Sequence, residues 1–138
     1  DHFKHINDRH GHAAGDQVLV GLVGVVRQRI RAVDTLFRIG GEEFLVIVEN
    51  ADTETAKKLA EDLRVLVEAA GLLDDCSVTI SVGVAQLGAG ETSDDWLRRG
   101  DDALYAAKRA GRNCVVCAED SACIPGLAPI RHAGKGSA

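Results

Sequence analysis

The chain has 138 residues, 46% of them hydrophobic and 27% charged, with a formal net charge of -5. Its length suits one domain able to bury most of its apolar surface, and its composition is that of an ordinary globular protein, not a disordered or fibrous one. The acidic balance, with no basic cluster, excludes a general nucleic-acid binder, and apolar runs broken well short of the roughly 20 residues a bilayer crossing needs predict a soluble, cytoplasmic segment without membrane contact.

The chain opens on Asp1-His2-Phe3-Lys4 with neither an initiating Met nor a signal peptide, which reads as a fragment with its natural beginning upstream. A polar, glycine-rich opening follows, Phe3 to Asp8 and then Gly11 to Asp16. From Gly15-Asp16 the residues Leu19, Leu22, Val23, Val26 and Ile30 recur at i, i+3, i+4 and predict a helix packed on one side. Asp16 stands where an N-cap or first-turn acid belongs, and Gly21 and Gly24 give up helix propensity in exchange for close packing.

Thr35–Ile39 and Glu43–Glu49 read as strands joined at Gly40-Gly41, a dipeptide suited to a tight hairpin because glycine takes positive φ and lets another group approach closely. A second helix is predicted from Asp52 or Thr53 to Ala70, with Ala56, Leu59, Ala60, Leu63, Val67 and Ala70 on its apolar face and Gly71 ending it. The β-branched run Ser77–Leu87 predicts a central strand. Ser93 is the expected N-cap of a third helix, Asp94 and Asp95 favour its first turn, and Leu97, Leu104 and Ala107 line its inner face up to Gly111. Asn113–Ala118 reads as a last strand, and from residue 121 to 138 the composition predicts a flexible tail. Helices alternating with strands imply an α/β sheet with helices packed on it, in one domain over residues 1–120. A helix at the start with no strand before it implies that the first strand is missing from this chain.

Four cysteines stand at positions 76, 114, 117 and 123. Cys114-Val-Val-Cys117 has C-x2-C spacing, but no second ligand pair follows at comparable spacing, and the plainer reading is small apolar strand residues in a reducing compartment.

Three groups of residues carry possible chemistry. Glu42 and Glu43 adjoin the glycines, where one carboxylate at a hairpin tip suits Mg²⁺ together with substrate phosphates; the alternative is a charged turn that keeps the hairpin soluble. Asn7 and Asp16 match the hydrogen-bonding edge of a purine, and the backbone near Phe3 and Lys4 could cradle phosphate; alone they could equally be turn formers and caps. Lys108 and Arg112, one turn apart at a helix end, complement the helix dipole and are also spaced to grip a triphosphate.

Together these segments resemble the GGDEF family of diguanylate cyclases from Asp1 to about Ala118. The resemblance rests on D-x-F-K-x-I-N-D at Asp1–Asp8, G-H-x-x-G-D at Gly11–Asp16, G-G-E-E-F at Gly40–Phe44 and A-K-x-x-G-R-N at Ala107–Asn113, supported by Val78–Ala85 and Asp101–Tyr105. It implies an α+β fold with the palm-like, ferredoxin-type sheet of nucleotidyl cyclases, joining two GTP into cyclic di-GMP with release of two pyrophosphates across a homodimer. By position, Glu42 would ligate Mg²⁺ (or Mn²⁺) and stabilise the reacting phosphate; Glu43 is carried over as catalytic without an assigned role, since neighbouring strand residues face opposite ways and do not form an acid/base dyad. Gly40 and Gly41 would let the nucleotide lie against the hairpin, Asn7 and Asp16 would read guanine, and Lys108 and Arg112, with amides near Phe3 and Lys4, would hold the triphosphate. Arg31 and Asp34 form an R-x-x-D pattern in register with the family's inhibitory product site; a surface ion pair is the alternative. Two family features, a second metal-binding Asp and the residue after it, would precede Asp1, so this stretch alone is expected to be poorly active. Gly100, on the packed face of the third helix, is a mild departure. A catalytically silent receptor for GTP or cyclic di-GMP is the alternative function, and a purely structural or dimerisation domain a weaker one.

Overall fold

A computed structural model describes residues 1–121. The order of elements is α1 (Phe3–His10), α2 (His12–Arg29), β1 (Thr35–Arg38), β2 (Phe44–Ile47), α3 (Thr53–Ala69), β3 (Val82–Val84), α4 (Ser93–Arg109), β4 (Val115–Cys117) and α5 (Ala118–Ser121). The fold is mixed α+β, as expected, with its strands in two separate two-stranded ladders. β1 and β2 form an antiparallel hairpin pairing Thr35 with Ile47 and Arg38 with Phe44, and β3 runs parallel to β4 with Gly83 opposite Val116. Apart from Ser121, the expected tail lies outside the described residues.

Several boundaries differ from the sequence expectation. The polar opening is itself helical: α1 occupies Phe3–His10, and Gly11, at φ 84°, breaks it from α2. α2 therefore begins at His12, and Asp16 lies in its second turn, exposed, and is not a cap. The N-cap of α4 is Thr92, not Ser93, because the Thr92 hydroxyl accepts the Asp95 backbone N–H at 3.2 Å. The run Ser77–Leu87 is a strand only over Val82–Val84, since β4 offers three residues to pair with and Thr79 is engaged by Asp1 instead. β4 likewise ends at Cys117, and Ala118 starts the next helical turn.

The core lies where the helices meet the parallel ladder. Ile6, Val18, Val67 and Val78 form one buried cluster with Phe3, Leu22, Val25, Leu72, Leu73 and Ile80 around it. Val67 is fully buried, which is worth about 2 kcal/mol for a side chain of its size. Ala60, Val84 and Cys117 form a second cluster beneath Ala56, Val82 and Val115. α4 presses Ala103, Ala106 and Ala107 inward, while Leu97, expected on the inner face, is exposed. These small residues allow the helix very close to β3. A Cβ on Gly83 would stand 2.4 Å from both the Gly100 carbonyl oxygen and the Leu104 nitrogen. Gly100 itself faces open space, contrary to the expectation that it occupies the packed face. Of the two helical glycines expected to serve packing, Gly21 does, against Leu72, and Gly24 meets nothing.

Candidate active site

The two acids sit at the tip of the β1–β2 hairpin, both exposed. The turn is closed by Ile39 and Gly40 N–H groups donating to the Glu43 carbonyl at 3.0 and 3.3 Å. Arg38 braces it from the side, its Nε donating to the Gly40 carbonyl at 3.2 Å and its guanidinium to the Gly41 carbonyl at 2.7 Å. Neither Gly40 nor Gly41 adopts positive φ, so the turn does not require glycine for its conformation, contrary to expectation. What remains is space: a Cβ on Gly41 would meet nothing within 4 Å, leaving that side of the hairpin open to a ligand.

The two carboxylates are not equivalent. Glu43 lies 3.7 Å from Lys108 Nζ, so it links the hairpin to the end of α4. Glu42 makes no ion pair or hydrogen bond with the described residues, and it lies within electrostatic reach of the Asp1 backbone nitrogen. Asp1 is thus within electrostatic reach of Glu42 in the hairpin, of Lys108 in α4 and of Arg112 just beyond it, groups far apart in sequence.

α4 delivers its cations by a specific ending. The chain leaves the helix at Gly111, φ 116°, and the Arg112 N–H donates back to the Ala107 carbonyl at 3.1 Å, the long hydrogen bond of a Schellman turn. Arg112 and Asn113 follow at φ 65° and 46°, a left-handed conformation that costs non-glycine residues roughly 1 kcal/mol or more each. Asn113 fixes the turn: its side chain accepts from Arg64 at 2.8 Å and donates to Glu68 at 3.0 Å.

Asn7 faces the start of α2. Its Oδ1 is buried and has no hydrogen-bond partner, and a Cβ on Gly15 would lie 1.9 Å from it. Gly15 is therefore the residue that makes room for the Asn7 amide, with the Phe3 ring beside it. Lys4 is exposed on α1, and Asp16 is exposed one position beyond Gly15.

A residue missed by sequence reasoning holds these parts together. The Asp1 carboxylate accepts from the Thr79 hydroxyl at 2.9 Å, the Ser81 hydroxyl at 2.6 Å and the Asn113 backbone N–H at 3.2 Å. It thereby joins the start of α1, the segment before β3 and the turn after α4. Arg38 was missed as well; the only signal for it is a cation two residues before the glycine pair.

Arg31 and Asp34 lie apart from this cluster. Asp34 is buried and accepts from Arg31 Nε at 3.1 Å, Arg31 Nη2 at 2.8 Å, and the backbone N–H groups of Arg31 at 2.9 Å and Glu49 at 3.1 Å. The Arg31 hydrogen bond, helped by those amides, holds the carboxyl down at about 2 despite its burial. A cavity of about 230 Å³ opens beside the pair, lined also by Arg29, Thr55, Lys58 and Leu59. Cys117 is buried in the core and Cys114 Sγ donates to the Ala107 carbonyl at 3.4 Å, as fits the apolar reading of that pair.

Residues 1–114 match the family described as diguanylate cyclase, GGDEF domain. The chain is 43% identical over 118 residues to diguanylate cyclase DgcM of Escherichia coli, covering 86% of this chain and 29% of that protein. It is 40% identical over 122 residues to the response regulator PleD of Caulobacter vibrioides, covering 84% and 27%. In structure it resembles the GGDEF domain of DgcB from Caulobacter crescentus in complex with c-di-GMP, with a TM-score of 0.81, 36% identity, and coverage of 86% of this chain and 73% of that one. It also resembles the active GGEEF domain of a diguanylate cyclase from Vibrio cholerae, with a TM-score of 0.77, 36% identity, and coverage of 85% and 76%. The chain spans about a third or less of the length of these curated relatives.

Proposed function

Because this chain belongs to the GGDEF family of diguanylate cyclases, we propose that it condenses two GTP into cyclic di-GMP and two pyrophosphates, each of two protomers holding one GTP. In each half-reaction the 3′-oxygen of one GTP bonds to the α-phosphorus of the other. The bond to the pyrophosphate oxygen breaks, and the hydroxyl proton leaves to solvent.

The observation that carries this reading is the unpartnered Asn7 Oδ1. A buried amide oxygen without a donor costs roughly 1–3 kcal/mol, and the N–H groups on the pairing edge of guanine would supply the donor. Asp16 stands on the neighbouring helix as a second acceptor. Lys108 and Arg112 would neutralise the triphosphate, with backbone amides at Phe3 and Lys4 assisting and open space at Gly41, beside Gly40, admitting the chain of phosphates. Glu43 acts on catalysis by holding Lys108 against the hairpin.

Glu42 fits a divalent cation: it is a hard oxygen donor, exposed and without an ion pair or hydrogen bond among the described residues. Bound there, Mg²⁺ or Mn²⁺ would screen phosphate charge and lower the pKa of the attacking hydroxyl. The protein's own work is positioning and electrostatics.

The exposed guanidinium of Arg31, braced by Asp34 at the mouth of a cavity that also presents Arg29 and Lys58, supports an inhibitory site for cyclic di-GMP.

The protein extended upstream of Asp1 by roughly 40 residues, enough for a strand and its approach, should yield cyclic di-GMP from GTP and Mg²⁺, and Glu42→Gln in it should abolish the product while leaving the melting temperature unchanged. Binding of GTP or cyclic di-GMP without turnover would instead make the domain a receptor.

A further inference from the structure

We propose that His10, Asp75 and Cys76 form a metal site of the zinc class, linking the end of α1 to the loop between α3 and β3. The site lies outside the nucleotide cluster and is independent of the catalytic reading.

One ligand atom from each residue can be chosen so that all three lie within 4.8 Å of one another. His10 Nε2 and Asp75 Oδ1 are already 3.6 Å apart. Around a tetrahedral centre with bonds of about 2.0–2.3 Å, ligand atoms stand about 3.5 Å from each other, so small side-chain rotations close the set. The imidazole, thiolate and carboxylate combination selects the metal. Thiolate and imidazole suit Zn²⁺, whereas Mg²⁺ takes oxygen ligands, so the site would not compete for the cation proposed at Glu42.

The surroundings favour coordination. Arg9 reaches Asp75 Oδ2 at 3.3 Å, which orients the carboxylate and leaves Oδ1 turned toward His10. Such outer partners commonly support metal-binding carboxylates. The Arg9 side chain is 70% exposed, so its charge is largely solvated and opposes a cation weakly. Both arms of the site are anchored: α1 by Ile6 in the buried cluster, and the loop by Leu72 and Leu73 packed against that cluster. Asp75 is exposed while His10 and Cys76 are half-buried, leaving the fourth coordination position open to water or another ligand. His10 lies one turn beyond Asn7 on α1, so an occupied site would stiffen the helix that carries the amide.

The test is titration of the purified protein with Co²⁺ and Zn²⁺ alone. We expect about one equivalent bound, a thiolate-to-cobalt charge-transfer band, and a melting temperature raised by zinc. His10→Ala and Cys76→Ser, on separate elements, should each weaken binding at least about tenfold, with Cys76→Ser also removing the charge-transfer band. Cys114→Ser and Cys123→Ser should leave both readouts unchanged. Lack of saturable binding, or binding that survives His10→Ala and Cys76→Ser, would overturn the assignment.

Discussion

Replacing Asn7 with Leu separates stability from function. Leu has a similar branched shape but no polar atoms, so the variant removes a buried oxygen that finds no partner in the free protein. Removing an unsatisfied group of this kind is worth about 1–3 kcal/mol, less any strain from the larger methyl groups beside Gly15 and Phe3. For a domain of this size 1 kcal/mol corresponds to about 3–4 °C in melting temperature. The free variant should therefore melt no lower than the parent and up to about 10 °C higher. GTP affinity should fall by about 10- to 100-fold, the loss of one or two hydrogen bonds to a base, while the preference for GTP over ATP collapses. Thermal unfolding without ligand and calorimetric titration with GTP and ATP read the two effects apart. A variant that melts several degrees lower yet binds GTP as tightly as the parent would refute the reasoning, because Asn7 would then be a structural residue with a hidden partner.

Other expectations follow from packing and charge. Gly83→Ala places a methyl group 2.4 Å from the backbone of α4 and should lower the urea midpoint by the equivalent of about 3 kcal/mol or more, whereas Gly100→Ala, in open space, should raise it by about 1 kcal/mol. The folded pKa of Asp34, about 2, lies below its ordinary 3.8, so its contribution is complete above pH 3.8 and is lost as pH falls through 2. Asp34→Asn should flatten the acid limb of the stability curve over that window, where the parent loses on the order of 2 kcal/mol. Lys108→Met should weaken GTP about tenfold and reduce the salt dependence of binding, while Arg109→Met, which removes a cation stacked on Tyr105, should change neither.

Much of the architecture was legible because it rests on local rules. The periodicity of Ala60, Leu63 and Val67 identifies α3, and Gly71 and Gly111 end α3 and α4 in the left-handed conformation that glycine adopts without strain. The hairpin was legible from its two β-rich runs, although the glycines between them proved to provide space and not unusual backbone angles. α1 was not legible, because its one buried residue, Ile6, gives no periodic stripe. The strand before α4 was overread because β-branched residues report fitness for a sheet but not whether a partner lies beside them. At the proposed site, Glu42, Asn7, Lys108 and Arg112 were singled out by residue type and motif. Asp1, Arg38 and Gly15 were not assigned roles, because each acts on groups whose proximity only folding creates.

The sequence by itself determined the family, the alternation of helices and strands, and the chemical inventory: an acid pair beside two glycines, two cations at a helix end, and an amide ahead of a glycine-rich turn. Tertiary structure decided which of these meet and in what state. It paired Glu43 with Lys108 and left Glu42 without an ion pair or hydrogen bond among the described residues, buried the Asn7 oxygen against Gly15, and tied Asp1 to Thr79, Ser81 and Asn113 across most of the chain. It also brought His10 beside Asp75 and Cys76, a juxtaposition that no local spacing announces. The physical reason is the same in each case: propensity and capping act within a few residues, whereas pairing, desolvation and ligand geometry depend on distances set by packing of the core.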